Sequence, residues 1–148
     1  MIPEGYLDKL ASSCPAWFQW SERLANPGSG HIFVGEETTE GVIGFSWSGP
    51  QAKQSSTYTG EIYAMYVRAD HQRKGVGRAL MAAAARSLEI EGHRNLLIWM
   101  VAENPYRAFY EKNGGRPVDR QRQELEGMAL DLIGYGWNED SFARLANP

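Results

Sequence analysis

The hydrophobic pattern changes period along the chain. HIFVGEE at 31–37 reads as a strand, TTEG turns the chain, and GVIGFSWSG at 41–49 returns as the second arm of a hairpin. GEIYAMYVR at 60–68 is dense in β-branched and aromatic residues and predicts a third strand. The period then becomes helical. From about Lys74 to Glu91, Val76, Leu80, Ala83, Ala84, Ser87 and Leu88 fall on one small apolar face, and Gly92 ends the helix. NLLIWMV at 95–101 is a continuous apolar run, as in a central strand buried on both faces. NPYRAFYEKN at 104–113 predicts a helix with Asn104 as N-cap and Pro105 at its first position, stopped by Gly114 and Gly115. Two further strands are expected near 116–123 and 127–137, and the polar stretch 138–148 reads as a possible tail.

Upstream of the hairpin, residues 5–13 predict a short helix. Pro15 suits the first turn of another, through about Ala25, with Trp17, Phe18, Trp20 and Leu24 as its aromatic face. Asn26-Pro27-Gly28 stops it, and residues 49–59 read as a polar loop. The expected class is α/β (α+β): one domain over 1–148, a single mixed, largely antiparallel sheet flanked by helices.

Composition narrows the class of function. The chain has 148 residues, a net charge of −3 and a pI near 5.6, which gives no global nucleic-acid footprint. No apolar run approaches the ~20 residues of a membrane span. The single cysteine, Cys14, has no internal disulfide partner, which fits a cytoplasmic setting, and it reads as a packing thiol. His31, His71 and His93 are scattered, so no metal site is expected.

The chemistry concentrates in HQRKGVGRAL at 71–80, between the third strand and the long helix. The first N–H groups of a helix lack internal partners, its dipole is positive there, and glycines admit a close approach to a phosphate. Arg73, Lys74 and Arg78 add full charges around Gly75, Val76 and Gly77. The stretch is not a P-loop, because G-x-x-x-x-G-K-[ST] is absent. It is not the Rossmann fingerprint either, since position 80 is Leu80 rather than glycine. By itself it reads equally as a phosphate cradle or as a helix start with a solvated basic patch.

Joined to EIYAMYV upstream and to N-P-Y-R-A-F-Y-E-K-N-G-G downstream, the Q-x-x-G-x-G of Gln72–Gly77 resembles the GNAT superfamily of N-acetyltransferases over roughly residues 31–137. The resemblance implies acetyl-CoA as co-substrate, with its pyrophosphate on Gln72, Arg73, Lys74, Gly75, Val76, Gly77 and Arg78. It implies a pantetheine arm running beside Met65, Tyr66 and Val67, where a backbone N–H can polarise the thioester carbonyl. It places Asn104 in contact with the cofactor and Phe109 near the pantetheine. Tyr110 matches the usual general acid, which protonates the departing thiolate; taken alone, it reads as a core aromatic one turn from Tyr106. Glu61 matches a strand position that serves as general base in some branches, others using water chains; taken alone, it reads as a strand-end carboxylate. Glu103 is a lesser alternative. Tyr63, Trp47 and Trp99 are candidates for lining the acceptor pocket, though each also suits a core.

The family ordinarily begins with a strand and a helix ahead of a stretch like I-P-E-x-Y-L-D-x-L, which here starts at Ile2. The first strand and most of the first helix are therefore expected to be missing. That leaves the edge at 31–37 uncovered and predicts a homodimer or swapped assembly. The function expected is transfer of an acetyl group from acetyl-CoA to a primary amine by direct attack in a ternary complex. The alternatives are a CoA-binding module without turnover and a nucleotide-binding domain. No nucleic-acid or membrane partner is expected.

Overall fold

The computed structural model describes residues 30–52 and 57–148. The helices expected at 5–13 and 15–25, together with Cys14, lie outside the described residues, as does part of the loop at 49–59. Among the described residues are six strands: β1 (His31–Glu37), β2 (Gly41–Pro50), β3 (Gly60–Val67), β4 (Leu96–Val101), β5 (Arg116–Leu125) and β6 (Met128–Trp137). The helices are α1 (Val76–Ile90), α2 (Arg107–Lys112) and α3 (Glu139–Ala146).

The strands form one sheet in the order β1-β2-β3-β4-β6-β5. Every neighbouring pair is antiparallel except β3 and β4, which run parallel because α1 carries the chain across between them. This is the mixed, largely antiparallel sheet expected from the sequence. Tight turns fix the hairpins. Glu126 and Gly127 both take positive φ (51° and 81°), so a two-residue loop joins β5 to β6. At the β1–β2 turn the Glu37 carboxylate accepts from the Thr39 and Glu40 N–H groups, both at 2.9 Å.

The core lies on one face of the sheet, where α1 contributes Leu80, Met81, Ala84, Ala85 and Leu88. Met81, Ala84, Ala85 and Leu88 meet Ile62, Leu96, Ile98, Ile133, Tyr135 and Trp137 from the strands, and Leu80 lies against Gly44 of β2. The apolar stripe is turned towards Met81 and Ala85 relative to the expected one, leaving Ala83 and Ser87 half-buried. The cause is α3. The segment read as a tail is a helix, and its Phe142, Leu145 and Ala146 join the same core. Asn138 caps it by accepting from Ser141 N–H at 3.0 Å, and Glu139 and Asp140 suit the positive end of its dipole.

A second correction concerns α2, which begins at Arg107 rather than at Pro105. The Asn104 carboxamide accepts from Tyr106 N–H at 2.8 Å, two residues on. That local turn uses the side chain ahead of the helix instead of capping it.

Candidate active site

β3 and β4 begin as partners and then part. Their register runs Gly60–Leu96, Glu61–Leu97 and Ile62–Ile98, and stops there. β3 continues to Val67, so its edge from Tyr63 onward has no strand partner on the β4 side among the described residues. A register shift at Trp47/Ser48 leaves Tyr63 as an extra residue in β3 at the point of parting. The result is a fork whose unpaired wall carries Met65, Tyr66 and Val67. An extended chain can bond there as an added strand would.

The fork opens onto the turn before α1. Arg68 follows β3, a single 3-10 turn comes next at Ala69–His71, and Gln72 folds back so that its Nε2 donates to Val67 O at 3.0 Å. Arg73 has φ +60° and Gly75 φ +87°, so the chain reverses sharply into the helix. A left-handed arginine is uncommon and is held only where its surroundings impose it. Arg68 stands at the entrance of the turn. It pairs with Asp70 at 2.7 Å and with Glu40 at 3.3 Å, and His71 meets Glu40 at 2.6 Å. Glu40, Asp70 and His71 sit close enough to suggest cation ligands, but Arg68 already matches both carboxylates. The cluster ties the β1–β2 turn to the entrance of the loop.

At the start of α1, Gly75 is the N-cap and no side chain caps the helix. The first N–H groups therefore face outward, and a Cβ placed at Gly75 would meet nothing within 4 Å. Arg73, Lys74 and Arg78 are exposed around this space, with no ion-pair partner among the described residues. Uncapped donors, open space and unmatched positive charge fit a phosphate group. Val76 faces inward instead, against Gly35 of β1.

α2 closes the other side. Phe109 reaches Gly77, where an added Cβ would come within 3.1 Å of its ring, and like Met65 and Ala102 it packs against the margin of the core. Tyr110 follows, 8% exposed, with ring centroids 5.2 Å from Phe109 and 6.3 Å from Tyr135. Burial raises its pKa, so the phenol keeps its proton through the neutral range. Asn104 sits ahead of α2 with its carboxamide oxygen committed to Tyr106.

Glu61 is 9% exposed and its Oε2 accepts from Ala52 N–H at 3.1 Å. It neighbours Ile62, which points into the core beside Tyr110, so alternation puts Glu61 on the opposite face of the sheet. Trp47 and Tyr63 pack edge to face, 4.9 Å apart, and the Tyr63 hydroxyl donates to Pro50 O. Burial, then Glu61 and Glu91, raise the Tyr63 pKa. Thus Met65 to Val67 lie on the unpaired wall of the fork, Gln72 to Gly75 form the turn after it, Phe109 meets the first turn of α1 at Gly77, and Tyr110 is buried beside Phe109, while Glu61 stands two residues before the fork on the other face.

Sequence reasoning missed a bridge between α2 and β6. Arg107 Nε donates to the Tyr135 hydroxyl at 3.1 Å, and that hydroxyl donates to Glu111 Oε1 at 2.7 Å. The i, i+4 spacing of Arg107 and Glu111 was readable; the arrival of Tyr135 between them was not. A cavity of about 590 Å³ lies elsewhere among the described residues, by Glu111, Gly115, Arg116, Gly136, Ser141 and Arg144, and includes none of the predicted site residues. A linear arm pairing with a strand edge needs an open groove, which is what the fork offers.

Comparison with known proteins shows the class to which this forked sheet and uncapped helix start belong. The GNAT acetyltransferase domain model matches residues 28–114, from just before β1 to the end of α2, so the chain belongs to that family and is an acetyltransferase. It is 30% identical over 137 residues to the uncharacterized N-acetyltransferase YuaI of Bacillus subtilis (strain 168), covering 93% of this chain and 76% of that protein. Its fold is similar to that of an N-acetyltransferase from Staphylococcus aureus Mu50, with a TM-score of 0.62 and 25% identity over 84% of this chain and 74% of that one. It is also similar to Arabidopsis thaliana NAA60, whose structure is a complex with acetyl-CoA, with a TM-score of 0.68 and 17% identity over 82% and 83% of the two chains. Among the described residues no helix is long and apolar enough to cross a membrane.

Proposed function

We propose that the protein moves an acetyl group from acetyl-CoA to a primary amine by direct attack in a ternary complex. The observation that carries this reading is the fork between β3 and β4, opening onto the open, cationic turn at Gly75. Acetyl-CoA supplies the activated acyl group as a thioester. The N–H groups at the start of α1, with Arg73, Lys74 and Arg78, hold its pyrophosphate, and Gln72 fixes the loop to Val67. The free edge at Met65, Tyr66 and Val67 bonds the pantetheine. Phe109 packs beside it, and Asn104 offers its amide N–H₂ to the cofactor.

Where the sheet is forked, groups from both faces can reach one point. Glu61, directly or through water, takes the proton that the amine must lose to attack the carbonyl carbon. As the C–S bond breaks, the Tyr110 hydroxyl gives its proton to the departing thiolate. A backbone N–H of β3 polarises the carbonyl oxygen meanwhile. Tyr63, Trp47 and Trp99 face the acceptor side. A cytoplasmic setting and a homodimer made through the edge of β1, one of the two edge strands among those described, complete this reading. A monomeric mass at working concentration would remove the dimer.

The test is a calorimetric titration with acetyl-CoA, with ATP and NAD as controls, followed by thiol release with a panel of amines. The panel holds a polyamine, an amino acid, an aminoglycoside and a peptide with a free N-terminus. Micromolar binding of acetyl-CoA alone, with turnover of one acceptor, is expected. Binding without turnover of any amine would leave a CoA-binding module, and no binding would overturn the cofactor assignment.

A further inference from the structure

α2 has only six residues, Arg107–Lys112, far fewer than a helix needs to persist unaided in water. Its placement therefore depends on what grips it from outside. One grip is a single phenolic oxygen. Tyr135, fully buried on β6, accepts from Arg107 Nε at 3.1 Å and donates to Glu111 Oε1 at 2.7 Å. These residues are i and i+4 of the helix, so one hydroxyl spans a full turn. Arg107 is anchored a second time, Nη1 donating to Ala102 O at 3.3 Å at the end of β4. Two residues along the same strand face, Trp137 Nε1 donates to Asn113 O at 2.8 Å, just past the helix. Tyr110 lies inside the spanned turn with its ring 6.3 Å from that of Tyr135, and no described residue hydrogen-bonds its hydroxyl. Its ring position is thus set by the helix and by the rings around it.

We infer that Tyr135, acting with Arg107 and Glu111, is a positioning residue for Tyr110: the hydroxyl bridge fixes α2 in the register that presents the Tyr110 phenol to the fork. The inference rests on the reading of Tyr110 as the acid. It goes beyond that reading by assigning a working role to groups that touch neither acetyl-CoA nor the amine. A proton donor displaced by even an ångström loses about a hundredfold in rate. A loosened bridge therefore lowers turnover while the cofactor loop, held by Gln72 and Arg68, still binds.

The experiment compares Tyr135→Phe, Tyr110→Phe and the double variant, using the panel amine with the highest wild-type turnover. Tyr135→Phe is expected to lower kcat about tenfold or more, by a larger factor than it weakens acetyl-CoA binding through Phe109 on the same helix, and to cost nothing further in kcat in the Tyr110→Phe background. Glu111→Ala, at an exposed position, removes one arm of the bridge without the risk to folding and is expected to lower kcat in the same direction. Wild-type kcat in both bridge variants, with Tyr110→Phe slow, overturns the inference and leaves Tyr110 in place. A slow Tyr135→Phe whose effect adds fully to that of Tyr110→Phe also overturns it, since the loss would not run through Tyr110. Wild-type kcat in Tyr110→Phe overturns the acid assignment, and the inference with it. A readout free of turnover is the ¹³Cζ tyrosine NMR signal of Tyr110, identified by its absence in Tyr110→Phe. It is expected to be single in the wild type and broadened or doubled in Tyr135→Phe; an unchanged signal overturns the inference.

Discussion

Gly77 and Phe109 touch across the mouth of the fork, a Cβ at position 77 coming within 3.1 Å of Phe109 Cζ. The first turn of the cofactor-side helix and the helix that carries Tyr110 are therefore fitted to each other through the absence of one side chain. Gly77→Val fills that gap. The expected result is displacement of Phe109, a loss of stability of about 1–3 kcal/mol from overpacking, and weaker acetyl-CoA binding. A thermal melt and a calorimetric titration measure both. Wild-type affinity in a destabilised variant would show that Phe109 packs against the helix without shaping the groove.

Gly75 makes the opposite case. Its φ of +87° penalises any side chain, yet nothing stands within 4 Å of the added Cβ. Gly75→Ala should therefore cost about 1–2 kcal/mol of stability through backbone strain and leave acetyl-CoA affinity within a few-fold. Gly75→Asp carries the same strain and adds a negative charge where the pyrophosphate approaches, so it should fold and fail to bind. The difference between the two variants isolates charge from conformation. Equal affinities would refute the cradle.

How far such features were legible depends on their range along the chain. The strands β1 to β4 and the helix α1 were readable because periodicity and glycine stops are local signals. Gly75 and Gly77 stood out because their spacing belongs to a loop of a few residues. α3 was overlooked because Glu139, Asp140 and Arg144 mask three buried positions, Phe142, Leu145 and Ala146. The i, i+3, i+4 spacing behind the Asn138 cap was nevertheless there to be read. The fork was not: the β3–β4 register ends at Ile62, next to a bulge at Tyr63 that appears only in the pairing with β2. Nor was the bridge from Tyr135 to Arg107 and Glu111, which joins residues far apart along the chain.

Burial of Tyr110 gives a pH prediction with a definite sign. Burial raises its pKa above the ordinary tyrosine value of about 10, so the folded protein holds that proton more tightly than the unfolded chain does. The corresponding stability is complete at neutral pH and is lost as pH rises above about 10 through the folded value. Tyr63, raised mainly by burial and then by Glu61 and Glu91, adds to the same loss. Melting temperatures from pH 8 to 11 should fall on the alkaline side, less steeply in Tyr110→Phe. The same variant should turn over slowly at pH 7 while binding acetyl-CoA normally. An identical alkaline slope would show that the phenol is not desolvated, and an identical rate would remove it as the acid.

Glu61 tests the other half of the proton traffic. Its carboxylate is nearly buried and accepts from Ala52 N–H, so Glu61→Gln keeps the shape and an acceptor oxygen while removing the base. If Glu61 takes the amine's proton, kcat/KM for the acceptor at pH 7 should fall by about a hundredfold. The deficit should then shrink as pH rises towards the pKa of the amine, because an amine already deprotonated needs no base. A pH–rate profile of the two proteins on one acceptor reads this directly. A loss that stays constant with pH would mean that Glu61 orients the acceptor or holds the Ala52 loop. A rate within twofold of wild type would hand the role to water at the fork, on the side of the sheet away from Tyr110.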